Sequence, residues 1–80
     1  MAKETKKEMV NHPAHYNRTK LECIDVMEDM ITGWPAGTGL RLAEVLKYIW
    51  RHKDKGIPLE NLKKAQFYLN REIAKLEQES

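Results

Sequence analysis

The stretch Lys47-Tyr48-Ile49-Trp50-Arg51-His52-Lys53-Asp54-Lys55-Gly56 carries the residues of this sequence best suited to chemistry. Lys47 and Arg51 are four apart, so on a helix they share a face. Two cations on one face repel each other unless something anionic sits between them. Tyr48 and Trp50 set flat rings beside that pair, and Lys55 extends the run of cations. A phosphate seeks positive charge and a base seeks a surface to stack on, so the combination suits a nucleotide. Further along, Lys64, Tyr68 and Arg71 repeat the pattern at helical spacing. A purely structural reading makes Trp50 and Tyr68 core residues and leaves the cations solvated. The recurrence of one pattern on two segments brings the two readings level.

Other groups add to this set. His12 and His15 stand three apart around Pro13, with Asn11 and Tyr16 beside them. Their functional reading is ring contact to a base or phosphate. A metal pair would need third and fourth ligands that the sequence does not offer nearby. The structural reading is an arm that packs across the helices. Glu22 and Asp25, followed by Glu28, lie on one helix face and form a weak Mg²⁺ candidate. Helical nucleotide pyrophosphatases need a second acidic pair on another helix, and the corresponding segment here offers Glu44 alone. A solvated face is therefore preferred, and no metal is assigned. Gly37-Thr38-Gly39 precedes an expected helix start, where free backbone N–H groups would welcome a phosphate. No phosphate-binding GxxxxGK[ST] loop, strand–GxGxxG–helix unit or readable Ser-His-Asp arrangement is found. The lone Cys23 has no evident base and no CxxC partner, and it reads as a small apolar residue on a helix.

The elements that must position these groups read as helices. Leu21, Ile24, Met27 and Ile31 recur at three- and four-residue steps, predicting a helix over about 21–31. Three glycines and a proline within 33–39 predict a loop. Leu42, Val45, Leu46 and Ile49, extended by Ala43 and Trp50, predict a second helix over about 40–52. Asp54-Lys55-Gly56-Ile57-Pro58 then supplies turn chemistry. Leu62, Ala65, Leu69, Ile73 and Leu76 predict a third helix from near Leu59 to about Glu77, with near-heptad spacing. That stripe is longer than a three-helix monomer needs, so a homo-oligomer through helix three is expected. Residues 1–8 read as a polar, flexible tail, and 9–80 as one all-α domain with an extended N-terminal arm.

Composition bounds the rest. Eighty residues make one domain with a thin core. The balance of 14 Lys+Arg against 12 Asp+Glu gives +2, which does not suit a DNA-coating protein, and stable DNA binding is not expected. Charge is segregated instead: 22–29 is acidic and 41–55 basic. No apolar run reaches the ~18 residues that span a membrane. The N-terminal lysines have no apolar stretch behind them, so no secretory signal is read and the cytoplasm of a host cell is the expected location.

The sequence resembles a family of short phage and prophage proteins of unknown function, one branch of which is described as a phage nucleotide kinase. The matching pieces are Val10-Asn11-His12-Pro13-Ala14-His15-Tyr16, Leu21-Glu22-Cys23-Ile24-Asp25, Lys47-Tyr48-Ile49-Trp50-Arg51 with Lys53 and Lys55-Gly56, and Asn61-Leu62-Lys63-Lys64-Ala65 with Tyr68-Leu69. They lie in order over about residues 10–73. The resemblance implies phosphoryl transfer to deoxynucleoside monophosphates without a Walker loop, chemistry made mostly of positioning and charge cancellation. It implies that Lys47, Arg51 and Lys64 hold phosphates. His12 and His15 would contact phosphate or polarise the acceptor, and Tyr16, Tyr48 or Trp50 would stack the base. Two other functions fit the same surface: a non-catalytic protein that sequesters a nucleotide signal used in host defence, and a module that binds a host protein.

Overall fold

A computed structural model of the chain describes residues 19–79, and three helices account for most of them: α1 (Cys23–Ile31), α2 (Ala36–Trp50) and α3 (Pro58–Glu79). The described residues are all-α, as the periodicity predicts, and contain no strand. The arm carrying His12, His15 and Tyr16, together with the tail before it, lies outside the described residues.

Helix α2 is the central element, with α1 packed on one side and α3 on the other. Local chemistry fixes the connections. Gly33, just past the end of α1, has φ +84°, the left-handed conformation that ends a helix at least cost when the residue is glycine. Gly56 has φ +77° in the second connection. Pro58 opens α3, a position where its missing N–H removes no helical bond. Asn61, buried at 5% exposure, closes the α2–α3 corner. Its Nδ2 donates to the carbonyl of Lys55 and to that of His52 at 3.3 Å. Asn61→Ala is expected to destabilise the fold by about 2 kcal/mol, because it strips a donor from half-hidden carbonyls; a urea titration followed by circular dichroism reads this.

The glycine-rich segment corrects the sequence expectation. The loop is Thr32–Pro35, and α2 begins at Ala36, four residues before the expected start. Gly37-Thr38-Gly39 lies inside the first turn of the helix. The glycines serve close packing there. A Cβ on Gly39 would come within 3.3 Å of the Ile31 Cβ, so the absent side chain lets α1 and α2 approach. A Cβ on Gly37 would meet the Arg41 guanidinium at 3.3 Å.

The core is thin. Its buried apolar members are Cys23, Ala43 and Ala65, and no described side chain is wholly shut from solvent. On α3 the buried positions are Asn61, Ala65 and Glu72, with Tyr68 half-buried among them. This 4-3-4 spacing is one helix face, and it is mainly polar. Of the apolar stripe read from the sequence only Ala65 is on this face: Leu62, Leu69, Ile73 and Leu76 each keep two-fifths to about half of their surface exposed.

Candidate functional site

Helices α2 and α3 bring together most of the cation–aromatic set. Tyr48 near the end of α2 stacks on Tyr68 of α3, with ring centroids 6.2 Å apart and planes 10° from parallel. Three cations surround the Tyr48 ring: Lys47 Nζ at 4.7 Å from its centroid, Lys64 Nζ at 5.5 Å and the Arg51 guanidinium carbon at 5.8 Å. Each such contact contributes roughly 0.5–1 kcal/mol at an exposed site. The three positive charges also repel one another, so the cluster favours an added anion.

The partners of these cations differ. Lys47 is bound by Glu44, with Nζ–Oε1 at 2.9 Å. That hydrogen bond raises the Lys47 pKa, against burial and the Arg51 charge, and the ammonium stays protonated. Lys64 and Arg51 make no ion pair among the described residues. The Arg51 Nε is closed off from solvent without a hydrogen-bond partner. A buried donor left unsatisfied is uncommon and costs free energy until an acceptor arrives. The start of α1 also reaches this region. Burial pushes the Cys23 thiol pKa up, and Lys47 and Arg51 pull it down. The thiol sits 3.5 Å from the Met27 sulfur.

Other predicted site residues fall elsewhere. Trp50 lines a shallow groove of about 410 Å³ with Thr19, Ile49, His52, Lys53 and Asp54. Lys55 is exposed and takes part in the corner through its backbone carbonyl. Arg71 stands over Phe67, 5.8 Å from that centroid, and not over the tyrosine pair. The His52 Nδ1 lies 2.7 Å from the Ile49 carbonyl, so in the neutral ring it donates there and leaves Nε2 as the acceptor. Glu22 precedes α1 and Asp25 is exposed on its first turn. Among the described residues, no three His, Cys, Asp or Glu side chains gather as a metal-binding group.

A second polar cluster escaped the sequence reading. Glu72 of α3, 4% exposed, accepts from Arg41 Nε at 2.7 Å and from Thr38 Oγ1 at 2.9 Å. Arg41 and Thr38 hold its carboxyl below the usual carboxylate range. This carboxylate lies at the first turn of α2, where the helix dipole favours negative charge. The helix start suggested for a phosphate therefore already has an anion beside it. The signal was present in the 61-65-68-72 spacing, which puts Glu72 on the face that α3 turns to α2.

No described helix is long and apolar enough to cross a membrane. No curated protein and no solved structure matches the chain. Residues 10–70 match the model of a family of proteins of unknown function, DUF3310. That stretch takes in all of α1 and α2, the Tyr48 cluster and more than half of α3, and the chain belongs to this family.

Proposed function

We propose that this protein binds a nucleotide, with its phosphate held by Lys47, Arg51 and Lys64 and its base against the Tyr48–Tyr68 pair. The observation that carries this reading is the convergence of three cations within 6 Å of one tyrosine ring. Two of them have no carboxylate partner among the described residues, and one has a buried donor without an acceptor. Phosphate offers several strong acceptors to such a cluster, and an aromatic face accepts any base. Self-association through α3 is the second part of the proposal, since Leu62, Leu69, Ile73 and Leu76 are not covered by the other described residues.

Binding is the reading that the described residues support, and phosphoryl transfer would ask for more. Kinase chemistry, the activity suggested by resemblance to a phage nucleotide kinase, needs a group beside the phosphates to activate the acceptor. Among the described residues the carboxylate at this cluster, Glu44, is engaged by Lys47, and His12 and His15, to which the resemblance gives that role, lie outside them. A phage protein that sequesters a nucleotide signal would need only the cations and rings.

A thermal-shift screen of the full chain against mono-, di-, tri- and cyclic nucleotides, with and without Mg²⁺, tests the proposal. A ligand at a hundred times its dissociation constant adds roughly 2.7 kcal/mol, a shift of several degrees in a domain this small. The expected result is stabilisation by at least one class, abolished by the double substitution Arg51→Ala and Lys64→Ala. Turnover of the bound nucleotide would move the reading to the kinase. No shift with any class would overturn it.

A further inference from the structure

The uncovered face of α3 is more regular than a scatter of exposed apolar residues. Leu59, Gln66 and Ile73 are spaced by seven, and so are Leu62, Leu69 and Leu76. Together they form alternating three- and four-residue steps, the a/d seam of a coiled coil. At 100° per residue this seam lies about a quarter turn from the buried Asn61–Glu72 face, clear of α2. Lys64 and Arg71 are on the opposite flank of the helix. The helix is ~33 Å long, and the seam runs for most of it. An uncovered apolar surface of that extent marks an interaction site.

We infer that a second copy of this chain covers the seam, with the two α3 helices antiparallel. This rests on the self-association already proposed and adds its orientation. Charge decides between the two directions. The positions flanking the seam are Lys63, Asn70 and Glu77 on one side and Pro58, Ala65 and Glu72 on the other. In a parallel pair Lys63 of one helix would flank Pro58 of the other, and Glu77 would flank Glu72, whose charge its own Arg41 already balances, so no attractive pair forms. In an antiparallel pair with Leu62 level with Ile73 of the second copy, Lys63 lies five residues along the axis from Glu77 of that copy, ~7.5 Å. Both side chains lean toward their own N-termini, which in this arrangement means toward each other. Neither Lys63 nor Glu77 makes an ion pair among the described residues.

Shape agrees with charge. At the C-terminal end of the seam, Leu76 borders a groove of about 450 Å³ whose apolar side is Trp34, Pro35 and Leu42 and whose polar side includes Arg41, Glu72 and Glu79. At the N-terminal end, Ile57 and Leu59 are 57% and 62% exposed. Antiparallel pairing sets Leu59 of each copy level with Leu76 of the other and puts Ile57 at the groove. A parallel pair would leave both grooves and both Ile57 side chains in water.

Disulfide trapping tests the orientation. Two full-length variants, Leu62→Cys and Ile73→Cys, each also carrying Cys23→Ala, are mixed in equal amounts and oxidised, and linked peptides are mapped by mass spectrometry. Sedimentation equilibrium of the unmodified chain runs alongside. The expected result is a dimer of twice 9.4 kDa whose main cross-link joins position 62 of one copy to position 73 of the other. A dimer linked 62 to 62 and 73 to 73 would overturn the antiparallel arrangement while leaving pairing through α3 intact. A dimer with no cross-link at either position, or a monomer throughout, would overturn both. Neither position belongs to the Tyr48 cluster, so nucleotide binding is read independently.

Discussion

Glu72→Ala is expected to lower the melting temperature by roughly 10 °C or more, read by circular dichroism at neutral pH. The substitution leaves the Arg41 guanidinium at a largely covered helix contact without its 2.7 Å acceptor, and strands the Thr38 hydroxyl as well. Removing one partner of a covered ion pair costs more than the pair itself is worth, because the survivor keeps its desolvation penalty. Glu72→Gln retains the shape and an acceptor oxygen and should lie between the two. The pH dependence has a definite sign. The folded-state pKa of Glu72 is below its ordinary value near 4.5, so its contribution is complete above that pH and disappears as pH falls through the folded value. The stability difference between parent and Glu72→Gln should therefore be flat above about pH 5.5 and shrink in acid. A constant difference across that range would mean that the carboxylate charge has no part in holding α3 to α2.

Arg51→Ala and Lys64→Ala are each expected to weaken nucleotide binding about tenfold, equivalent to ~1.4 kcal/mol, and by more together. Stability should change little, because the lost contact with Tyr48, worth roughly 0.5–1 kcal/mol, is offset by other gains. Arg51 leaves no acceptor unsatisfied when it is removed, and takes with it an orphan buried donor. Either change also relieves repulsion around Tyr48. A loss of affinity without a loss of fold is the signature of a binding cation, whereas residues that merely pack would lose both. Affinity should fall with added salt, since the contacts are with an anion at a partly exposed site. Binding that withstands both substitutions would place the phosphate elsewhere.

The sequence carried the helices well because period-3.6 patterning is strong in all three. It misread the glycine-rich connection. By composition Gly37 and Gly39 read as loop formers, yet Ile31 and the Arg41 guanidinium occupy the space that their side chains would need. Close approach between helices is a tertiary fact with no local signature. The apolar stripe of α3 is legible in the sequence, but only its Ala65 is buried against α2. Leu62, Leu69, Ile73 and Leu76 satisfy an apolar period, but the face that α3 turns to α2 is Asn61, Ala65, Tyr68 and Glu72. Hydrophobicity alone does not show that Asn61 and Glu72 share the Ala65 face. For the site, like charges at positions 47 and 51 and the cation at 64 were legible as a pattern, and Tyr48 proved to be their common neighbour. That Trp50 belongs to another groove and Arg71 to Phe67 depends on rotation about the helix axes, which residue spacing fixes only coarsely.

The most direct test of the central claim is an amide chemical-shift map of the ¹⁵N-labelled chain during titration with the best-stabilising nucleotide. The account predicts that the largest changes fall on residues 47–51 of α2 and 64–68 of α3, saturating together with one dissociation constant. Changes centred instead on residues 34–42 and Leu76, or no saturable change at all, would contradict it.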